Sequence, residues 1–241
     1  MCNSTNTSEQ LATPATELDL LFPKPPSYIS EEYAEKTKDA IRKGGYCMQD
    51  GKTGLSKDSL AQILNTDKKG VNIFVEKLIG TDELKCINGE TVVSTPKVKE
   101  ELSRRIEQPR SDTERQNLQY NDSAVDSLRD CQEAERRRSR IEDTIRSEIR
   151  NLKKKRIKEY SITHDELTKE ELQDNSAAHH ITRKKDDPDK ATDLDNIVIV
   201  NDDTHTTIHK ECAETPEKLD ELCDKKGWNR PNKSSKAHAN G

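Results

Sequence analysis

Four of the six histidines lie within 31 residues of the chain. His179 and His180 are adjacent, and His205 and His209 are four residues apart. If the segment from about Asp203 is helical, the i and i+4 spacing places the imidazoles of His205 and His209 on one face. Two nitrogen ligands at this spacing can share one metal ion. The pattern therefore indicates a site for a divalent cation.

The residues around these histidines predict a hairpin followed by a helix. Residues 196–200 are apolar and β-prone, and residues 178–182 can form a partner strand across the polar loop 183–195. Asp202 or Asp203 would cap the helix that follows. Because adjacent residues on a strand point to opposite sides, one histidine of the adjacent pair can ligate metal while the other addresses a water on the substrate side.

In this order the residues resemble the HNH endonucleases, also called ββα-metal or His-Me finger nucleases, and most closely the His-His form of the colicin-type DNases. The family pattern is a His-His pair, an Asp-Asn before an aliphatic strand, and His-x-x-x-His on a helix. The chain has His179-His180, Asp195-Asn196 and then His205 and His209. The resemblance covers about 35 residues, under a sixth of the chain.

The resemblance implies a metal-dependent endonuclease that hydrolyses phosphodiester bonds in DNA, with duplex DNA as the expected substrate and RNA as an alternative. His180 would be the general base that activates water, a role that suits an imidazole. Asn196 would brace the loop between the strands. His179, His205 and His209 would bind one divalent ion (Mg, Mn, Ni or Zn), which would stabilise charge on the phosphate and the leaving 3′ oxygen. A structural metal site without catalysis, or a histidine-rich surface, is the alternative.

Many HNH proteins hold a structural zinc with two Cys-x-x-Cys pairs. Here Asn201 and Thr204 occupy the positions of the second pair, and no Cys-x-x-Cys precedes His179. We therefore expect no structural zinc. The six cysteines are spread over segments of different character, which favours free thiols in a reducing cytoplasm over a disulfide framework.

The overall composition argues against one large core. Of 241 residues, 36% are charged, 29% hydrophobic and 3% aromatic, which is too polar to order the whole length. The net charge of -5 provides no global positive field that would attract nucleic acid. No apolar run approaches the length of a membrane span and no secretory signal is evident, so a soluble cytoplasmic protein without a membrane partner is expected.

Residues 27–95 predict three helices followed by a hairpin. Ser30, Ser56 and Asp67 are candidate helix caps, and Asn88-Gly89 between β-prone runs is a strong hairpin signal. The order is that of a winged helix-turn-helix, a likeness of architecture only. Its third helix would enter a DNA groove and offer Lys68, Lys69, Asn72 and Lys77. The alternative is a small helical domain that binds protein or nothing.

Residues 96–160 predict a charged helical linker, with a break at Pro109. The narrow apolar seam on this segment favours either a solvated helical spacer or a helix that pairs with another helix. Such pairing could include self-association of the chain. Between Arg136 and Lys158, eleven Lys or Arg stand against three acids. Such a stripe can contact phosphates, although charge runs are usually solvated faces. The candidate contacts are Arg137, Arg138, Lys154 and Lys155, within a wider set that adds Arg136, Arg140, Lys153 and Arg156.

The sequence therefore predicts an α+β, mostly helical chain in five parts. These are a disordered leader (1–26), a winged-helix-like module (27–95), a charged helical linker (96–160), an HNH nuclease domain (161–212), and a short helix with a disordered tail (213–241). The expected function is that of an HNH endonuclease. The competing hypothesis is a non-catalytic nucleic-acid-binding protein that acts through the winged-helix-like module.

Overall fold

A computed structural model of the chain describes residues 12–231. These residues form two compact units, an N-terminal unit up to Ile141 and a C-terminal unit from Glu142 onward. The predicted α+β, mostly helical class is confirmed. The disorder predicted for residues 1–11 and 232–241 lies outside the described residues. Within 12–231, no helix combines the length and the apolar character needed to cross a membrane.

The N-terminal unit combines an antiparallel sheet with helices. Along the chain the elements are β1 (Thr13–Pro14), α1 (Glu31–Gly44), β2 (Gly45–Cys47), β3 (Thr53–Ser56), α2 (Leu60–Ile63), α3 (Lys68–Glu76), β4 (Leu84–Ile87), β5 (Glu90–Ser94), α4 (Thr95–Glu107), α5 (Asp112–Arg129) and the start of α6 (Gln132–Tyr160). The strands lie in the order β1-β2-β3-β5-β4 across the sheet.

Local capping and turn chemistry explain the elements that the sequence predicts in this unit. The side chains of Ser30 and Asp67 each accept a backbone N–H in the first turn of α1 and α3. Asn88 and Gly89 both adopt positive φ, 50° and 81°, as the β4–β5 hairpin requires. Three helices and a hairpin are present in the predicted order, but two strands that were not predicted, β2 and β3, lie between α1 and α2. Ser56 occupies the N-cap position of a single 3-10 turn before α2, and its side chain makes no cap hydrogen bond.

The leader prediction is wrong for residues 12–26. β1 pairs with β2, and Ala15 is buried in the main core. Leu18, Leu20 and Phe22 pack against that core. These apolar side chains stand among Pro, Thr, Asp and Glu, so the average composition of the segment does not reveal that they pack in the core.

The linker prediction is wrong for residues 96–131. α4 buries Val98 and Leu102, and α5 buries Leu118, Val125 and Leu128 in the same core as α1 and α3. The break predicted near Pro109 is present, since α4 ends at Glu107 and a capping box opens α5. One apolar face on a very charged helix is enough to dock it, because the charges lie on the other faces.

The C-terminal unit is built around a two-stranded hairpin. Its elements are the remainder of α6, β6 (Ala177–His180), β7 (Ile197–Val200), α7 (Asp202–Lys210) and α8 (Pro216–Lys226). In the antiparallel register, His179 lies opposite Val198 and His180 opposite Ile197. Leu152 of α6 clusters with Ile197 and Ile199. The narrow apolar seam predicted on residues 96–160 therefore contributes to two cores. Val125 and Leu128 are buried in the N-terminal unit and Leu152 in the C-terminal unit.

The bounds predicted for the C-terminal domain, 161–212, are narrower than the compact unit that begins at Glu142. α8 buries Leu219, Leu222 and Cys223 in a cluster with β7 and α7, and Trp228 packs against it. Asn229 donates hydrogen bonds to the carbonyl oxygen of Leu167. Residues 213–231, expected as a short helix with a loose tail, therefore complete the core of this unit.

Candidate metal centre and active site

His179 on β6 and both histidines on α7 come together, as the spacing predicts. Their ligand atoms all lie within 4.8 Å of one another, close enough to bind one metal ion. The two ring atoms His205 Nε2 and His209 Nε2 are 3.2 Å apart. The His179 ring lies edge-on to both, with centroid distances of 5.4 Å to each. A hairpin packed on a helix thus presents three imidazoles to one point.

The His179 ring gives a direct test of whether the site suits a cation. Its Nε2 is buried and has no hydrogen-bond partner among the described residues. Burial, and after it the nearby His205 and His209, together lower the pKa of His179 to about 4. Burial also lowers the pKa of His205, with a smaller contribution from His209. A neutral imidazole with an unshared lone pair is the form that binds metals, so the donor set fits a divalent ion.

His209 makes a second contact through its other ring nitrogen. Its Nδ1 lies 3.2 Å from Glu214 Oε1, and Arg183 Nη1 lies 2.8 Å from Glu214 Oε2. The pKa of Glu214 is lowered, first by the hydrogen bond from Arg183 and then by that from His209. Neither Glu214 nor Arg183 was predicted from the sequence. Both lie outside the helical spacing that identifies the ligands, in the turn after α7 and the loop after β6.

His180, the predicted general base, is half-buried and alternates with His179 along β6. Its Nε2 lies 2.9 Å from the carbonyl oxygen of Ala191. Because a carbonyl oxygen can only accept a hydrogen bond, this contact assigns the ring proton to Nε2. In the neutral ring, Nδ1 then holds the free lone pair.

Asn196 lies buried between the strands and the loop that joins them. Its Nδ2 donates to the carbonyl oxygens of Thr182 and Lys190 at 2.9 Å and 3.1 Å, and its Oδ1 accepts from the Thr182 N–H at 2.8 Å. These bonds hold both ends of the loop, next to the Ala191 carbonyl that contacts His180. The position matches the bracing role that the resemblance implies.

Asn201, and neither Asp202 nor Asp203, occupies the N-cap position before α7, and its side chain makes no cap hydrogen bond to the helix. The predicted aspartate cap is therefore wrong. The Asn201 side chain bonds the backbone of Gln173 and Glu171 instead of the helix. Segment 161–175 therefore packs beside the hairpin.

The residues predicted to contact DNA fall into two groups. Lys68, Lys69, Asn72 and Lys77 are exposed, on α3 or directly after it, and Lys154 and Lys155 are exposed on α6. These six are accessible to phosphates in their own units.

Of the other candidates, Arg137 and Arg138 bond to other parts of the protein, whereas the Arg136 side chain is 59% exposed beside Glu133. The Arg137 side chain is only 11% exposed, pairs with Glu133 and donates to the carbonyl oxygens of Cys47 and Met48. Arg138 pairs with Glu135 and donates to a backbone carbonyl. Arg137 thus ties α6 to the end of β2, and Arg138 ties α6 to the end of α5, so both residues make structural contacts. Arg156 is also buried, with Glu166 as its partner.

Comparison of the chain with protein-family models, with curated proteins and with solved structures finds no match.

Metal binding should be linked to the stability of the fold. Zn²⁺ or Ni²⁺ should raise the thermal unfolding midpoint of the chain, because an ion bound only by the folded state stabilises it by about 2.7 kcal/mol at 100 times its Kd. His205→Ala should lose most of this gain. His164→Ala should keep it, since His164 is exposed and lies outside the histidine group. Calorimetry with metal and with chelator measures both, and an undiminished gain in His205→Ala would contradict the ligand assignment.

Proposed function

We propose that this protein is an HNH-type, metal-dependent endonuclease that hydrolyses phosphodiester bonds in DNA. The observation that carries the proposal is the division of roles along β6. His179 joins His205 and His209 in a group of ring nitrogens within 4.8 Å, while the next residue, His180, has its Nε2 proton engaged by Ala191. One strand therefore supplies a cation ligand and a separate proton acceptor.

The residues of the chain account for the proton transfer. His180 Nδ1 would take a proton from a water as the water oxygen bonds to phosphorus and the bond from phosphorus to the 3′ oxygen breaks. The Ala191 carbonyl and the Asn196 bonds would keep this ring in one orientation. A divalent ion (Mg, Mn, Ni or Zn) held by His179, His205 and His209 would supply positive charge for the phosphate and the leaving oxygen.

A plasmid assay tests the proposal. Supercoiled DNA is incubated with the full chain and Mg²⁺, Mn²⁺, Ni²⁺ or Zn²⁺, with a chelator control, and single-stranded DNA and RNA are compared with the duplex. We expect nicked and then linear plasmid only with metal. Absence of cleavage with every metal and every substrate would refute the enzyme and leave a structural metal site.

A second candidate, nucleic-acid binding without cleavage, is favoured by one surface of the N-terminal unit. α3 buries Val71, Phe74 and Val75 on one side, whereas Lys68, Lys69, Asn72 and Lys77 remain exposed. The β4–β5 hairpin follows, and β3, between α1 and α2, pairs with β5. This arrangement supports a winged-helix module whose α3 contacts the major groove of duplex DNA. Binding by this unit and cleavage by the other are compatible.

The DNA-binding proposal predicts a change in salt dependence. Substitution of Lys68, Lys69 and Lys77 by Ala should weaken duplex binding by the full chain. The slope of log K against log salt should fall by about 0.9 for each phosphate that the variant no longer neutralises. Fluorescence anisotropy across a salt series measures this slope.

A matched control removes the same charge from other lysines of the N-terminal unit. Lys36, Lys43 and Lys52 each form an ion pair with an acid of that unit. Substitution of these three by Ala should leave the slope near the wild-type value. Equal slopes for the two triple variants would mean that α3 makes no specific contribution.

A cytoplasmic location also belongs to the proposal. Cys47, Cys131 and Cys223 are buried as thiols and form no disulfide. Unpaired thiols fit a reducing compartment.

A further inference from the structure

The three histidines of the metal centre are held to different degrees. His179 is buried, His205 is half-buried, and His209 is exposed, with 48% of its side chain accessible. A buried ring is fixed by its packing, whereas an exposed ring can rotate about its side-chain bonds. His209 therefore needs a separate contact to keep one nitrogen directed at the others.

Glu214 supplies such a contact. A carboxylate accepts hydrogen bonds only, so its 3.2 Å contact with His209 assigns a proton to Nδ1. The other nitrogen, Nε2, is the one that lies 3.2 Å from His205 Nε2 at the metal point. The orientation and the tautomer thus agree with metal ligation through Nε2.

Glu214 is in turn held in place. The Arg183 guanidinium bonds Glu214 Oε2 at 2.8 Å and Asp186 at 2.7 Å, so it joins the loop after β6 to the turn after α7. Ala213, next to Glu214, is buried in the unit's core, which fixes the backbone from which the carboxylate extends. Both the side chain and the backbone of Glu214 are therefore restrained.

We propose that Glu214, oriented by Arg183, is a positioning residue that holds His209 as a metal ligand. The inference rests on the proposed metal site but does not require nuclease activity. Metal-bound imidazoles commonly donate their second N–H to a carboxylate, and loss of that partner weakens metal binding 10- to 100-fold. Glu214 fits this role by geometry, although it contributes no ligand atom itself.

The test measures Zn²⁺ and Co²⁺ binding to the full chain by calorimetry and by the visible absorption of Co²⁺. Glu214→Ala should weaken affinity about 10- to 100-fold and change the Co²⁺ spectrum. Glu214→Gln keeps an oxygen acceptor for the Nδ1 proton and should recover part of the affinity. Glu211→Ala is the matched control, since Glu211 is a nearby surface glutamate paired with Lys225 at 3.0 Å. It should bind both ions like wild type.

The outcomes distinguish the positioning role of Glu214 from the metal site itself. If wild type binds Zn²⁺ and Glu214→Ala binds it equally, with an unchanged Co²⁺ spectrum, the positioning role is overturned and the proposed function stands. If wild type binds neither ion, the proposed metal site is overturned, and the positioning role of Glu214 is overturned with it. Weaker binding by Glu214→Ala with no change in the metal-free unfolding midpoint supports positioning, whereas equally weak binding by Glu211→Ala overturns it.

Discussion

His180→Ala should reduce plasmid cleavage by about 10²- to 10⁴-fold while metal affinity stays at the wild-type level. The reduction is the usual contribution of a positioned general base. Metal binding should persist because His180 lies outside the group formed by His179, His205 and His209. Cleavage time courses give the first quantity, and calorimetric titration with Zn²⁺ or Ni²⁺ gives the second.

His164→Ala is the matched control for this variant, because His164 is an exposed histidine of the same unit whose ring lies within hydrogen-bond distance of the Thr163 hydroxyl. It should cleave and bind metal like wild type. Full cleavage by His180→Ala would remove the general-base role. Loss of metal binding in His180→Ala would instead show that the two histidines of the strand do not have separate roles.

The ligands of the candidate site could be predicted because their relation is local. The i and i+4 spacing of His205 and His209 needs only a helix, and that helix needs no knowledge of distant residues. The pairing of β6 with β7 follows from one apolar strand and one nearby partner. Alternation along a strand then separates His179 from His180.

The groups that orient these ligands could not be predicted in the same way. The Ala191 carbonyl, Arg183 and Glu214 lie in loops or turns, where the backbone path depends on tertiary contacts. Asn196 shows the difference, since its motif position is local but its hydrogen bonds reach across the loop to Thr182 and Lys190. Sequence spacing contains no signal for such contacts.

The fold was predictable where caps and turns mark its elements. Ser30, Asp67 and the Asn88-Gly89 turn identify α1, α3 and the β4–β5 hairpin. β2 and β3 have only three and four residues, too few to display alternation. The predicted domain boundaries were wrong for a different reason. The average composition of a charged segment does not reveal the apolar faces of α4, α5 and α8.

The basic run of α6 shows that residue type alone does not separate phosphate contacts from structural cations. Lys154 and Lys155 are exposed, whereas the next residue, Arg156, has only 2% of its side chain exposed. Helical rotation of about 100° per residue moves neighbours from solvent to the core. Arg156 therefore belongs to the stability of the C-terminal unit.

Arg156→Met should destabilise the C-terminal unit by about 3–5 kcal/mol, the cost of removing one member of a buried ion pair. Arg156 bonds both oxygens of Glu166, at 2.6 Å and 3.0 Å, and donates to the Leu194 carbonyl. Glu166 also accepts the Ile199 N–H of β7, so the uncompensated charge would lie beside the hairpin that carries the metal centre. Urea unfolding followed by fluorescence of Trp228, the one tryptophan of the chain, measures the destabilisation of this unit.

Two further variants show whether Arg156→Met destabilises the unit through the unpaired buried charge or through the smaller side chain. Lys154→Met makes the same charge change on the exposed side of α6 and should alter stability by no more than about 0.5 kcal/mol. In Arg156→Met/Glu166→Gln the buried negative charge is removed while an oxygen remains for the Ile199 N–H, so part of the stability should return. An Arg156→Met variant as stable as Lys154→Met would place Arg156 among solvated charges and restore it as a candidate phosphate contact.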